Sequence, residues 1–210
     1  METLDLKKMY KSLYNPSAKK VELVQVPDLA FLMVDGAIEP GQGPGTSPEF
    51  QENMQALYGM AYTLKFMFKQ RPENPVDYPV MALEGLWWVE DGNFDINIKD
   101  NWFYTVMIML PDIIRQEDFD QGLAKMRKKK GDQPGFGRLR LARFEEGLAV
   151  QTMHIGPYAS EPETVARMHA FMAENGLEPC GKHHEIYMGN PLLADPSKLK
   201  TILRHPAKKK

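Results

Sequence analysis

A glutamate and a tyrosine stand two positions apart near the C-terminal end of the sequence, in the run Lys182-His-His-Glu-Ile-Tyr-Met188. A glycine before this run and the Gly189-Asn-Pro191 turn after it favour a short strand. Side chains alternate between the two faces of a strand, so Glu185 and Tyr187 share one face. If that face is buried, the carboxyl must find a partner, bind a cation or carry a raised pKa. The alternative is an edge strand with a solvated carboxylate, because glutamate is seldom fully buried unless it is paired.

The composition is ordinary for a soluble globular protein. Of the 210 residues, 43% are hydrophobic and 26% are charged, and the net charge of −2 gives no reason to expect nucleic acid as a direct partner. No apolar run approaches the ~20 residues of a membrane span, and the N-terminus lacks the apolar core of a signal peptide. The single cysteine, Cys180, fits a reducing compartment. We therefore expect a cytoplasmic protein.

Apolar periodicity and turn signals predict an α+β fold behind an N-terminal arm of residues 1–20. The expected strands are 21–26, 29–38, 80–90, 101–110, 138–145, 148–155, 183–188 and 199–205. The expected helices run from Ser47 to the Arg71-Pro72 break, from 116 to 130 and from 161 to 175. Turns are expected at Pro27-Asp28, Asp91-Gly-Asn93 and Glu146-Gly147.

The order of these elements occurs twice along the chain. The two repeats are expected to cover residues 21–112 and 113–210. In each of them a pair of strands, 21–38 in the first and 138–155 in the second, is followed by a helix and two further strands. This order predicts duplicated β-α-β-β modules related by a pseudo-two-fold axis. Their antiparallel sheets would surround a central ligand cleft, since junctions between such units commonly bind ligands.

The proposed alignment of the two repeats brings Glu84 close to Glu185. It also brings Trp87 and Trp88 close to Tyr187. A carboxylate beside aromatic residues in both repeats favours a pocket at Glu185 over an exposed edge strand. The choice between the two tryptophans depends on the strand register, which the sequence leaves open.

Five motifs, taken in order, resemble a stand-alone GyrI-like small-molecule-binding domain. They are Pro16-Ser-Ala-Lys-Lys20, Val34-Asp-Gly36, Leu83-Glu-Gly-Leu-Trp-Trp88, His154-Ile-Gly-Pro-Tyr158 and His183-His-Glu-Ile-Tyr187. The last two are the most specific, and the match covers nearly the whole chain. The resemblance implies a single domain over residues 21–210, with a duplicated fold around a central aromatic pocket.

The resemblance implies two kinds of function. Relatives include the effector-binding halves of multidrug-responsive transcription activators, in which the carboxylate matching Glu185 faces bound organic cations. Some stand-alone relatives hydrolyse reactive, cyclopropane-bearing, DNA-alkylating natural products. Residues 1–20 are too few for a helix-turn-helix domain, so we expect no direct transcriptional control.

The residue types fit the hydrolysis of a planar cyclopropane conjugated to a dienone. Glu185 would act as general base toward water, and Tyr187 would hydrogen-bond Glu185 or donate to the developing oxyanion. Aromatic side chains would supply flat walls for a polycyclic ligand, although aromatic residues in strands often belong to the core. The residues expected to line the ligand site are Glu84, Trp88, Trp102 and Tyr104.

No metal or cofactor site is predicted. His183 and His184 are adjacent, so in a strand they point to opposite faces and cannot chelate one metal together. His154, His169 and Cys180 show no zinc spacing. The alternative function is a non-catalytic module that sequesters aromatic or cationic compounds or contacts a protein partner such as gyrase.

Overall fold

A computed structural model describes residues 1–90, 101–189 and 194–210. The turns expected at Asp91–Asn93 and Asn190-Pro191 lie outside these residues. The strands are Glu2–Thr3 (β1), Glu22–Ile38 (β2), Val76–Asp77 (β3), Leu83–Trp88 (β4), Trp102–Met109 (β5), Leu139–Ile155 (β6), Leu177–Pro179 (β7), His183–Tyr187 (β8) and Lys200–Lys209 (β9). The α-helices are Leu6–Met9 (α1), Lys11–Tyr14 (α2), Pro48–Lys69 (α3), Gln116–Lys130 (α4) and Glu161–Glu174 (α5). Short 3-10 turns occupy Pro134–Arg138, Tyr158–Ser160 and Pro196–Lys198.

Six strands form one barrel-like antiparallel sheet in the order β6-β2-β5-β4-β8-β9, and pairing between β6 and β9 closes it. This corrects the expectation of separate sheets, since closure joins the strands of both halves and leaves these six without an open edge. Each half contributes a strand, a helix and two further strands in the same order. Superposition of the two halves about a two-fold axis stays a prediction.

Two long strands, β2 and β6, run through places where the sequence predicts turns. Pairing between them keeps one register from Val26–Gly147 to Asp28–Glu145. Pro27 has no N–H to donate, so the ladder is interrupted there without ending. Gly147 has a φ of 74°, a value that favours glycine, and it still pairs with Val26 in the ladder.

The helices α3 and α5 lie on the outer surface of the sheet. The Ser47 side chain caps α3 by accepting a hydrogen bond from the Phe50 amide at 3.3 Å. α3 packs over β2 and β5, and α5 packs over β6 and β7. A six-stranded barrel has room inside for side chains only, so both helices are outside. None of the described helices is long and apolar enough to cross a membrane.

The segment before β2 packs against the core. Leu6, Leu13 and Tyr14 are all less than 5% exposed. Their burial shows that α1 and α2 are part of the packed structure.

Candidate active site

Strands β4 and β8 are neighbours in the sheet, between the strands that α3 and α5 cover. Their register pairs Trp87 with His183, and β5 pairs Tyr104 with Trp87. Tyr104 faces α3, because its hydroxyl accepts a hydrogen bond from Asn53 at 2.8 Å. Directly paired residues share a face of a sheet. His183, and therefore Glu185 two positions on, point to the outer surface between the two helices.

We call this surface the outer site. Its members are Trp87, Tyr158, Glu161, His183, Glu185 and Tyr187. Glu185 is only 5% exposed, and its Oε1 lies 3.0 Å from His183 Nε2. The rings of Tyr158 and Tyr187 meet edge to face at 6.0 Å, and both residues are half-buried. A carboxyl thus lies beneath two tyrosines that still reach solvent.

A second carboxyl, Glu161 at the start of α5, lies beside Glu185. It is 1% exposed, and neither of its oxygens has a hydrogen-bond partner among the described residues. Burial and the negative charge of Glu185 raise the pKa of Glu161 to about 9, and the nearby Thr201 offsets only part of the rise. Glu161 therefore holds a proton at neutral pH.

Both tyrosines of the outer site stay protonated at neutral pH. Burial, the charge of Glu185 and a hydrogen bond with Glu185 raise the pKa of Tyr187 well above its usual value. Burial and the charges of Glu185 and Glu161 raise the pKa of Tyr158 to about 12. Each phenol can therefore donate a hydrogen bond to a developing negative charge.

Trp87 fixes the position of Tyr187. Its Nε1 donates a hydrogen bond to the Tyr187 hydroxyl at 3.0 Å. The two side chains fold over Gly85, where an added Cβ would lie 2.7 Å from Trp87 Nε1 and 3.2 Å from the Tyr187 hydroxyl. Trp87 also stacks on Phe50 of α3, with ring centroids 6.0 Å apart. Glycine at position 85 therefore permits the close approach of both aromatic side chains.

Trp88 does not belong to the outer site. Side chains alternate along β4, so Trp88 points to the opposite face from Trp87. There it stacks on Phe103, and the Lys182 ammonium lies 3.2 Å from its ring centroid. The register thus decides which tryptophan faces Glu185, and our assignment of Trp88 to the ligand site is corrected to Trp87.

Glu84 does not line the outer site either, which corrects its expected position beside Glu185. It is fully buried on the inner face of the sheet, because Glu84 pairs with Ile186 while Glu185 pairs with Gly85. Its Oε1 accepts a hydrogen bond from the Tyr14 hydroxyl at 2.5 Å. We call its surroundings the inner cluster. The members of this cluster are Tyr14, Glu84, Glu146, His184 and Arg204.

The inner cluster balances its charges. His184 lies 3.0 Å from Glu84 and 3.0 Å from Glu146, and Arg204 lies 3.3 Å from Glu146. Burial opposes a charge on His184, but Glu146 and the bond to Glu84 outweigh it and raise the pKa of His184 to about 9. Burial likewise opposes ionisation of Glu146, but His184 and Arg204 outweigh it and lower the pKa of Glu146. Two carboxylates thus meet two cations.

Trp102 and Tyr104 lie on the outer face but are largely covered. Trp102 is 6% exposed and meets Trp87 edge to face at 5.9 Å. Tyr104 is fully buried beneath Phe50 and Asn53. Trp102 remains a proposed ligand wall through its contact with Trp87, whereas Tyr104 supports the wall from below.

The outer site contains a set of groups that could share a cation. Glu161, His183 and Glu185 offer ligand atoms within 4.8 Å of one another, and imidazole and carboxylate both bind divalent metals. Coordination requires deprotonated ligands, so a cation here would displace the proton of Glu161 and the hydrogen bond between His183 Nε2 and Glu185.

The sequence analysis missed Tyr158, Glu161 and the contact between His183 and Glu185. Tyr158 ends the His154-Ile-Gly-Pro-Tyr158 motif, and Glu161 follows three positions later. The motif was a usable signal for both residues, since it places them at the entry to α5. No local pattern relates them to Glu185.

The sequence matches the GyrI-like small molecule binding domain over residues 19–208. The chain belongs to the GyrI-like family. An uncharacterized conserved protein from Listeria innocua shares this GyrI-like fold with 43% identity and a TM-score of 0.88, over 98% of this chain and 100% of its own. Two structures of a hydrolase from Listeria innocua are 40% identical. Their TM-scores are 0.83 and 0.86, over 98% and 99% of this chain and 100% of their own.

More distant similarity shows the GyrI-like fold alone. The C-terminal domain of EcmrR, a protein also solved in a complex with DNA, has a TM-score of 0.54 at 13% identity. This match covers 91% of our chain and 98% of that domain. A comparison with curated proteins gave no significant match.

Proposed function

We propose that the outer site binds a planar, cyclopropane-bearing, DNA-alkylating molecule and detoxifies it by adding water, with Glu185 as general base. The observation that carries this proposal is a nearly buried carboxyl beside two protonated phenols. In residues 1–90, 101–189 and 194–210, no lysine or arginine nitrogen lies within 4 Å of Glu185. A carboxylate without a fixed cation keeps its basicity for a substrate.

The chemistry needs one base and one hydrogen-bond donor. Glu185 removes a proton from water, whose oxygen bonds to a cyclopropane carbon. The ring C–C bond breaks, and its electron pair moves through the dienone to the carbonyl oxygen. A phenol at Tyr187 or Tyr158 is suited to donate to that oxygen as its charge develops. A final proton on the oxygen completes the addition of one water.

The similarity to solved structures supports a hydrolase. Two structures at 40% identity, which cover their whole chain, are described as a hydrolase. The aromatic side chains of Trp87, Tyr158 and Tyr187 supply faces and edges for a planar ligand.

Single-turnover kinetics with a synthetic spirocyclopropyl cyclohexadienone test this function. Glu185→Gln preserves size but removes the basicity, so turnover should fall by ~10²–10⁴-fold while a neutral planar ligand still binds. Glu163→Gln, at an exposed position in the same turn as Glu161, is the matched control. Product formed in ¹⁸O-labelled water should carry the label. Unchanged turnover in Glu185→Gln would exclude Glu185 as the base.

The alternative is a binding module without catalysis. The uncompensated charge of Glu185 beneath aromatic rings would also attract an organic cation. In that case wild type would not hydrolyse the dienone, and Glu185→Gln would lose affinity for a planar cation while keeping affinity for a neutral ligand of the same shape.

A further inference from the structure

Three histidine rings lead in series from Glu185 to the protein surface. His183 Nε2 lies 3.0 Å from Glu185 Oε1, and His183 Nδ1 lies 2.5 Å from His205 Nε2. His205 Nδ1 in turn lies 3.2 Å from His169 Nε2. His183 and His205 are 9% and 8% exposed, whereas His169 on α5 is exposed. The chain therefore starts at a buried carboxyl and ends in solvent.

The ring nitrogens along this path connect in one consistent direction. Each Nε2 faces inward, toward Glu185, and each Nδ1 of His183 and His205 faces outward, toward the next Nε2. If every Nε2 carries the hydrogen, each ring donates inward and accepts from the outer neighbour. The opposite set of tautomers satisfies the same contacts when Glu185 is protonated. Such reversal of a hydrogen-bond chain is what proton transfer along it requires.

We propose that His183, His205 and His169 form a proton relay that connects Glu185 with solvent. The role of this relay in hydrolysis rests on the proposed function of Glu185 as a base. The existence of the hydrogen-bonded path does not depend on that function. Outward transfer starts with the hydrogen of each ring on Nδ1, so that His183 Nε2 can accept the proton that Glu185 has taken from water. Each ring then passes its Nδ1 proton to the next Nε2, and His169 Nδ1 releases one to solvent, which leaves every hydrogen on Nε2. Glu185 returns to its ionised form while a ligand still covers the outer site.

The charge states of His205 and His169 are compatible with this transfer. Burial and the neighbouring histidines His183, His169 and His184 lower the pKa of His205 well below its usual value. Burial and His183 also lower the pKa of His169. Neutral imidazole has one donor and one acceptor nitrogen, which lets each ring both receive and release a proton.

His154 on the neighbouring strand β6 differs from the three relay histidines, because all its hydrogen-bond partners are close to it in the sequence. Its Nδ1 lies 2.9 Å from the Thr164 hydroxyl, and its Nε2 lies 3.3 Å from the Pro157 carbonyl and 3.2 Å from the Ser160 hydroxyl. These contacts hold the ring in place, and none leads to Glu185. The three relay rings instead use both nitrogens in sequence along one line.

Proton exchange of the ring N–H groups with water tests the relay in the intact protein. The experiment is ¹⁵N NMR of the histidine side chains with water saturation transfer, with and without a cyclopropane-free planar analogue bound. The variant is His169→Gln at the exposed end, and the control is Arg167→Gln, which is also exposed on α5.

Blocking the exit at His169 should slow exchange at His183 and His205 by ~10-fold or more, because exchange then requires local opening of the structure. Arg167→Gln should leave exchange unchanged, and wild type should keep fast exchange with the analogue bound. A purely structural role of His169 predicts unchanged or faster exchange in His169→Gln, and either result would overturn the relay.

The relay and the proposed hydrolase function can fail independently in these experiments. If wild type does not hydrolyse the dienone, the hydrolase proposal fails, yet the exchange rates still decide whether the path exists. If hydrolysis depends on Glu185 but exchange is insensitive to His169→Gln, the relay fails and the hydrolase proposal stands.

Discussion

Glu84 and Glu185 sit on adjacent strands, are both at most 5% exposed, and differ by one step in register. That step sends Glu84 to the inner cluster and Glu185 to the outer site. Glu84 meets a protonated His184 and the Tyr14 hydroxyl, inside a cluster of two carboxylates and two cations. Glu185 meets His183, Tyr187 and a second carboxyl that holds a proton.

The difference between the two faces separates a charge-balanced carboxylate from the proposed base. Removing one partner of a charge-balanced buried ion pair strongly destabilises the folded protein. A carboxylate beside another carboxyl has a raised affinity for a proton or a cation. Burial alone therefore does not distinguish the two glutamates, whereas the charge of their neighbours does.

The largest expected effect comes from breaking the inner cluster. Glu84→Gln removes one of the charges around His184 and leaves a buried cation under-compensated, so the free energy of unfolding should fall by ~3–5 kcal/mol. Turnover per folded molecule should stay near that of wild type, because Glu84 faces away from the outer site. Thermal unfolding and single-turnover kinetics on the same sample measure both quantities. A stable variant without activity would reverse the assignment of the two glutamates.

A second effect, smaller per pH unit, distinguishes the outer site by its pH dependence. The folded-state pKa of Glu161, about 9, lies above the ordinary value of 4.5. Between these values the folded chain keeps a proton that the unfolded chain loses, so rising pH destabilises the fold by up to ~1.4 kcal/mol per pH unit.

Glu161→Gln removes this titration, so the variant should become more stable than wild type as pH rises from 5 toward 9. Melting temperatures across this range test the prediction, with Glu163→Gln as the control. His184 also has a folded-state pKa of about 9 and loses stabilisation as pH rises from its ordinary value of 6.5 toward 9. Its contribution is common to all three proteins and cancels in the comparison. Parallel pH profiles for wild type and Glu161→Gln would contradict the protonated carboxyl.

The smallest effect compares the two tryptophans. Trp87→Phe keeps an aromatic ring but removes the N–H that holds Tyr187. The loss of this bond should weaken binding of a planar ligand by about 0.5–1.5 kcal/mol, roughly two- to tenfold. Trp88→Phe should leave affinity unchanged, since Trp88 contacts Phe103 and Lys182 on the other face. Titration of intrinsic fluorescence measures both affinities, and equal losses would mean that the faces are not separated as described.

The sequence predicts local structure better than it predicts which residues meet. The α3 helix follows from an apolar stripe and from Ser47-Pro48 at its start, both of which are local signals. The sequence predicts turns at Pro27 and Gly147, yet β2 and β6 continue through these residues. The two strands pair with each other before and after Pro27, and this pairing holds them extended. Local composition contains no information about that pairing.

The candidate site shows the same difference between what local sequence predicts and what strand pairing decides. Glu185 and Tyr187 are two positions apart, so alternation in one strand places them together without knowledge of any partner. The predicted positions of Glu84 and Trp88 were wrong because the face on which each side chain lies depends on the register between strands. A shift of one residue in that register moves a side chain to the opposite face of the sheet. His205 is 22 residues from His183 and 36 residues from His169 in the sequence. No local sequence pattern could therefore have revealed the histidine chain.

The N-terminal segment and β9 meet in the folded protein, and this contact bears on the order of events during synthesis. The Arg204 guanidinium donates to the Leu13 carbonyl at 2.8 Å, across 191 residues of chain. β9 also closes the sheet between β6 and β8. β9 therefore must emerge from the ribosome before the sheet can close. Until then, the nascent chain carries two unpaired strand edges, which is the state in which it is most exposed to aggregation.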